Sequence, residues 1–424
     1  MRRRVVVTGI GAVSPCGATT ESTWESIVQG RSGIDTIQRF DASSFASQIA
    51  GEVLDFDPLD YFEKKRVREA ERFTHFAIAA SQMALDYAGF KPTDDQKERV
   101  ATIVGVGMCG LELLQQQVLT MEQRGPRRMS PYFIPAAIAN MTSGQVSMRW
   151  GFRGPSFTTT SACASGAHSI GEAARKIERG DVDAALAGGA EASVCGTGVG
   201  GFCAMRALSK RNHAPAEASR PFDKGRDGFV IAEGAGMMLL EERGHALQRG
   251  APVLAELVGY GATADAYHLT QPAPEGEGAQ RAMRVALTDA RLRPEQIDYV
   301  NAHATSTLMG DAKELEALRG VFGTHVERGL SISSTKSMHG HLLGAAGGLE
   351  AVLTVLAIRD QLCPPTLNLV DPEEAAVGFD LVPNVSKKKP IHAAISNSFG
   401  FGGTNVTLAF ERPDLSQTTP NDAS

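Results

Sequence analysis

Apolar residues along this chain follow two patterns that take turns from end to end: short unbroken runs, and longer stretches apolar on one face only. The short runs predict buried strands, because a strand covered on both sides has no polar face to show. They lie at residues 5–8, 101–106, 156–160, 184–187 and 237–240, and again at 254–260, 299–302, 391–396 and 406–410. Between them Phe73, Phe76, Ala77, Ala80, Met83, Ala84 and Tyr87 recur at helical spacing, and Gly89 ends that helix. Further helices are predicted over 21–29, 111–121, 164–178, 278–290, 312–318 and 345–359, while 130–150 is only weakly amphipathic. Alternating strands and helices define an α/β layered architecture. The pattern restarts after Gly250, which predicts a body over 2–411 made of two similar halves, 2–252 and 253–411. No residue-level repeat accompanies this. The polar stretch 412–424 is expected to be a disordered tail.

Composition narrows the function. A net charge of -6 over 424 residues excludes a general nucleic-acid binder, so an acidic partner would need a local basic patch. Six cysteines without a C-x-x-C pair argue against a disulfide framework or a zinc ribbon and for a reduced, cytoplasmic protein. No apolar run approaches the roughly 20 residues that cross a bilayer. The opening Met-Arg-Arg-Arg-Val-Val-Val is interrupted by Thr8, Gly9 and Gly11, so it reads as a first strand preceded by solvated charges, not as a signal peptide. Gly9-Ile10-Gly11 begins like a dinucleotide fingerprint, but Ser14 stands where the third glycine belongs, and no nucleotide site is expected.

Candidate chemistry centres on residues 158–171, where a strand gives way to a small-residue helix with Cys163 at its start. Free N–H groups and the helix macrodipole there would favour the thiolate, and Ala162, Ala164, Ser165 and Gly166 leave room for a substrate. A lone cysteine is most often an ordinary buried residue. Three other stretches change that reading by placing polar residues in glycine-rich surroundings after strand ends, where α/β folds collect ligands. They are 300–307 with His303, 333–341 with His339 and His341, and 396–405. One activatable cysteine with two histidines on separate loops forms a nucleophilic site. Metal chelation by His339-x-His341 with Glu350 is the rival, weakened because the motif feeds straight into a helix with no second carboxylate nearby.

Four motifs carry a resemblance: Ser161-Ala-Cys-Ala-Ser-Gly, Asn301-Ala-His-Ala-Thr-Ser-Thr, Ser334-Thr-Lys-Ser-Met-His-Gly-His and Asn397-Ser-Phe-Gly-Phe-Gly-Gly-Thr-Asn. In this order, spread over nearly the whole chain, they resemble the elongating β-ketoacyl-[acyl carrier protein] synthases, the synthase II kind of the thiolase-like superfamily. The resemblance implies a five-layer α-β-α-β-α fold, a homodimer, and decarboxylative condensation of malonyl-[acyl carrier protein] with a cysteine-bound acyl chain in fatty-acid elongation. A ketosynthase of a type II polyketide or polyene pathway is the alternative. Cys163 would hold the acyl group, His303 and His341 would serve the malonyl unit, and Lys336 would orient the second histidine. Having His341 as third member separates the chain from relatives that carry Cys-His-Asn.

The same resemblance implies an oxyanion hole from the N–H groups of Cys163 and Phe401, and substrate contacts at Thr305, Thr307, Phe401 and Met108. Met108 would line the inner end of the acyl pocket. Asp311, Glu314 and Glu350 would fix tautomers and loop shape. No cofactor or catalytic metal is implied; a structural Na or K ion would sit near Asn301, Glu350, Ser396 and Asn405. Acidic carrier protein would dock on Lys65, Arg68, Arg127, Arg128 and Arg206. Ala304 stands where the family commonly has glycine, Leu308-Met309 where proline often follows, and Glu69 where a further basic residue is often found.

Overall fold

The computed structural model describes residues 2–414, so positions 415–424 of the expected tail lie outside the described residues. Ten strands form one sheet: β1 Val5–Val13, β2 Val100–Gly105, β3 Ser156–Thr159, β4 Ala184–Glu191 and β5 Gly234–Glu242, then β6 Ala255–Ala264, β7 Tyr299–Asn301, β8 Ser331–Ser333, β9 Ala393–Gly400 and β10 Thr404–Glu411. Their order is β8-β7-β9-β10-β6-β1-β5-β4-β2-β3. Only Val6–Glu256 and Val7–Ala255 pair across β1 and β6, so the sheet consists of two five-stranded sets joined at one short seam. Each set reads third, second, fourth, fifth, first. In both, the third, second and fourth strands are parallel, and the fourth, fifth and first antiparallel.

Helices complete the layers. Helices α1 Arg72–Ala88 and α3 Asn140–Trp150 cover the outer face of the first set, with α2 Leu111–Arg124 beyond its end. Helices α5 Glu277–Ala290 and α6 Leu308–Phe322 lie outside the second. Between the sets run α4 Ser165–Glu178 and α7 Ala346–Asp360, and α7 is buried on every side from Ala346 to Ile358. A helix with no polar face can exist only where protein surrounds it. The result is the five-layer α-β-α-β-α architecture of the thiolase-like proteins. Glycine makes the tight layering possible: a Cβ on Gly166 of α4 would lie 2.7 Å from the Gly348 nitrogen of α7.

Several expectations change in three dimensions. β1 does not end at Thr8 but continues to Val13, and Gly9 and Gly11 are small because α1 lies on them. A Cβ there would sit 2.0 Å from the Ala84 carbonyl and 1.8 Å from that of Ala80. Arg2, Arg3 and Arg4 are not free solvated charges, since they pair with Glu178 and Asp289, Asp183, and Glu256 respectively. The weak 130–150 pattern divides into a short helix, Phe133–Ala137, and α3. The stretch 396–405 is no loop. It is strand to Gly400, a tight turn with Gly402 and Gly403 at positive φ, and strand again from Thr404.

Candidate active site

Cys163 follows Ala162, whose φ of 50° lies in the left-handed region, and precedes the cap of α4. The β9–β10 hairpin presses against this corner: Thr404 Oγ1 donates to the Ser161 carbonyl at 3.1 Å. Gly400 permits the approach, because a Cβ there would lie 2.7 Å from that same carbonyl oxygen. The turn thereby aims the Phe401 N–H at Cys163 Sγ, alongside the N–H of Cys163 itself.

The thiol differs from the sequence-based expectation. Burial pushes it up to about 12, against the downward pull of the Lys336 charge and the N–H groups of Phe401 and Cys163. Helix position does not win because burial outweighs it, and the first amides of α4 are engaged elsewhere: Ala164 N donates to Ser161 O at 3.1 Å and Ser165 N to Ala162 O at 3.2 Å. Burial therefore favours the thiol over the thiolate in the substrate-free site. Alkylation of Cys163 by iodoacetamide, followed by peptide mass spectrometry, should accelerate about tenfold per pH unit from pH 7 to 10 with no plateau. A plateau below pH 8 would mean a resident thiolate.

His303 stands just past β7, on a loop held by one buried carboxylate. Glu314 accepts the N–H of His303 at 2.9 Å and of Ala304 at 2.7 Å. Ala304 needs no left-handed backbone, so its methyl fits without strain. His341 is fixed through its backbone, donating to Val230 O at 2.7 Å and accepting from Ala232 N at 2.9 Å. The two imidazoles meet edge to face with centroids 5.4 Å apart. Burial holds both well below the usual histidine range, and the Lys336 charge lowers them further. Both are neutral imidazoles at physiological pH.

The charged neighbours act differently from the expectation. Lys336 is buried and paired with Glu350, not bonded to His341; it reaches both histidines through its field. Glu314 grips backbone. Asp311 accepts Phe222 N at 3.0 Å and Thr307 N at 3.2 Å, tying the 303–308 loop to the 220–228 loop. None of the three carboxylates touches an imidazole nitrogen, and Nδ1 of His303 and of His341 has no protein partner. Glu314 and Asp311 hold loop backbone, and Glu350 holds Lys336. His339 is apart from the site, its ring nitrogens on Gly340 O at 2.7 Å and Thr335 Oγ1 at 3.0 Å.

One cavity of about 410 Å³ is lined by Cys163, His303, His341, Phe401, Met108, Thr305 and Thr307 together. The structure gives Phe399, which the fourth motif contains, a place beside His303, and it adds residues that no motif marked: Phe229 against His341, and Phe202 and Leu343 on the apolar wall. Of the group proposed around a cation, Asn301 and Ser396 are register partners on β7 and β9. Their Oδ1 and Oγ atoms, like Oε2 of Glu350, are buried without a partner. Asn405 is not among them. It pairs with Phe399, three residues or about 10 Å along the strand from Ser396, and donates to Asp265 Oδ1 at 2.6 Å.

The basic residues are all exposed but unequal. Lys65 is paired with Glu63 at 2.9 Å, and Arg68 lies over the Tyr132 ring. Glu69 binds Arg66 at 3.2 Å. Arg127 and Arg128 share one turn after α2, and α2 also packs against the helix Gly196–Ala204 that leads to Arg206.

A cysteine, two neutral imidazoles and an N–H pair around one substrate-sized cavity, on a duplicated five-layer fold, define a condensing enzyme. The families described as "Beta-ketoacyl synthase, N-terminal domain" and "Beta-ketoacyl synthase, C-terminal domain" match residues 2–246 and 254–370. The chain belongs to the β-ketoacyl synthase family and is an acyltransferase of the synthase II kind. It is 48% identical to the 3-oxoacyl-[acyl-carrier-protein] synthase 2 of Vibrio harveyi, over 97% of this chain and 99% of that protein. It is 47% identical to that of Coxiella burnetii (strain RSA 493 / Nine Mile phase I), with the same coverage. Among solved structures, a β-ketoacyl synthase from Burkholderia phymatum STM815 superposes with a TM-score of 0.90 at 34% identity, covering 98% of this chain and 100% of that one. A type II polyketide ketosynthase bound to its acyl-carrier protein does so at 0.90 and 31%, covering 97% and 100%.

Proposed function

We propose that this chain elongates fatty acyl chains by decarboxylative Claisen condensation, with Cys163, His303 and His341 as the reacting triad. The observation that carries this reading is the convergence of one buried thiol, two neutral imidazoles and the Phe401 N–H on a single cavity. Cys163 sulfur bonds to the acyl carbon, the carrier-protein sulfur leaves, and the thiol proton passes to it. Cys163 N–H and Phe401 N–H stabilise the oxyanion. Malonyl-carrier protein then enters, and neutral His303 and His341 donate to its thioester oxygen. The bond to the carboxylate breaks, carbon dioxide departs, and the enolate carbon attacks the acyl carbonyl. Collapse releases 3-oxoacyl-[acyl carrier protein], and a proton from water restores the thiol. Neutral imidazoles suit this step because each must donate without carrying a charge that would trap the malonyl carboxylate.

Asn301 Oδ1, Glu350 Oε2 and Ser396 Oγ are oxygen donors fit for an alkali cation. Such an ion would give the three unpartnered oxygens a ligand and brace β7, β9 and α7, outside the bond changes. A second copy of the chain would cover the open edge of β3 and the exposed Leu114, Val118, Met121, Ile134, Ile138 and Met148 beside it, giving a homodimer. Six free cysteines suit the cytoplasm, and among the described residues no helix is long and apolar enough to cross a membrane.

The decisive experiment incubates the protein with acyl-carrier proteins of graded saturated chain length and reads intact mass. A covalent acyl adduct on Cys163 and a 3-oxoacyl product are expected. Free fatty acid instead would indicate a thioester hydrolase, and loading only by polyketide intermediates would favour the polyketide alternative. For docking, Arg127→Glu with Arg128→Glu should raise KM about tenfold or more for carrier-protein substrates and little for small thioester mimics. High salt should shrink the difference. Equal losses on both substrates would point to misfolding.

A further inference from the structure

Glu191 ends β4 as a fully buried carboxylate that the reaction outlined above does not use. One of its oxygens, Oε2, accepts three backbone N–H groups from two separate loops: Gly107 at 3.0 Å, Met108 at 3.1 Å and Gly344 at 3.3 Å. The other, Oε1, accepts Ser193 Oγ at 2.9 Å. The two loops touch backbone to backbone above the carboxylate. A Cβ on Gly344 would lie 2.2 Å from Gly107 N, and one on Gly107 would lie 2.7 Å from Glu191 Oε2, so neither loop can shift without breaking this junction.

What the loops carry gives the junction its meaning. Met108 and Leu343 both line the cavity and both pack in the apolar cluster that contains Cys163 and Phe202. Leu343 has a φ of 48°, a left-handed backbone that its neighbours must impose. The next residue, Gly344, is the one Glu191 holds. We infer that Glu191 is a positioning residue for acyl chain length: it sets the distance between Met108 and Leu343, the walls that an acyl chain on Cys163 must pass between. The inference rests on the condensing reading of the site. Burial pushes the Glu191 carboxyl up to about 7, against the downward pull of the Ser193 hydroxyl and the three backbone N–H groups.

The experiment measures loading of Cys163 by carrier-bound saturated acyl groups from short to long, using wild-type, Glu191→Ala and Glu191→Gln proteins. Alanine leaves three buried N–H groups without an acceptor, so the junction opens and the walls lose register. Glutamine keeps an oxygen for the N–H groups and can donate to Ser193. Expected for Glu191→Ala is a drop of at least tenfold in long-chain relative to short-chain loading, with malonyl decarboxylation within about threefold of wild type. Glu191→Gln should restore the length profile to within about threefold. A parallel decline at every length in Glu191→Ala, or a glutamine variant as distorted as the alanine one, overturns the inference. If Glu191→Ala does not fold, Glu191→Asp, one methylene too short to hold both loops at once, takes its place, and a length profile unchanged from wild type in that variant overturns the inference. Failure of wild-type protein to load any chain would instead overturn the condensing reading.

Discussion

Cys163→Ala should abolish condensation, by roughly 10⁴-fold or more, while malonyl decarboxylation continues within a few-fold of wild type. The large effect follows from losing the only atom that can hold the acyl group; removal of a covalent nucleophile costs about this much in other enzymes. The retained half follows from geometry. His303 and His341 are positioned by Glu314, Val230 and Ala232, none of which depends on the sulfur. Their neutrality comes from burial and Lys336, not from Cys163. Intact mass would show no acyl adduct, and carbon dioxide release from malonyl-carrier protein would report the surviving step. An acyl adduct on the alanine variant would remove Cys163 from its role.

His303→Ala and His341→Ala should show the reverse division. Each removes one donor from the oxygen that becomes negative as carbon dioxide leaves, and loss of such a donor costs about 10²–10³ in rate. Acylation should persist, because the groups that favour the thiolate at Cys163 are Lys336 and two backbone N–H groups, not the imidazoles. The pH dependence has a definite sign. Both histidines titrate well below 6.5, so between pH 6 and 8 they stay neutral and the decarboxylation rate of wild-type protein should be flat. A fall in rate centred near pH 6.5 would show that an imidazole protonates there. Variants that lose both acylation and decarboxylation would show that a histidine serves as base for the cysteine.

The residues proposed to react were legible along the chain because Cys163, His303 and His341 each sit in a local pattern that core packing does not need: small, polar and glycine-rich after an apolar run. The strands and helices were legible for the same reason, since periodicity is a local property. Three features were decided only by the tertiary structure. Why residues 9 and 11 are glycines is visible only once α1 is seen lying on them. The charge state of Cys163 reads as thiolate from its helix and becomes a thiol once the surrounding layers bury it, because desolvation sums over everything nearby while a helix end acts on its own turn. Glu191 has no local mark at all. Only Ser193 is close along the chain; the backbone amides that hold the carboxylate lie 83, 84 and 153 residues away, and a buried carboxylate is tolerable only when such partners arrive to receive it. Composition and spacing along a chain record which chemistry is available, whereas ionisation and register depend on what the fold brings within a few ångströms.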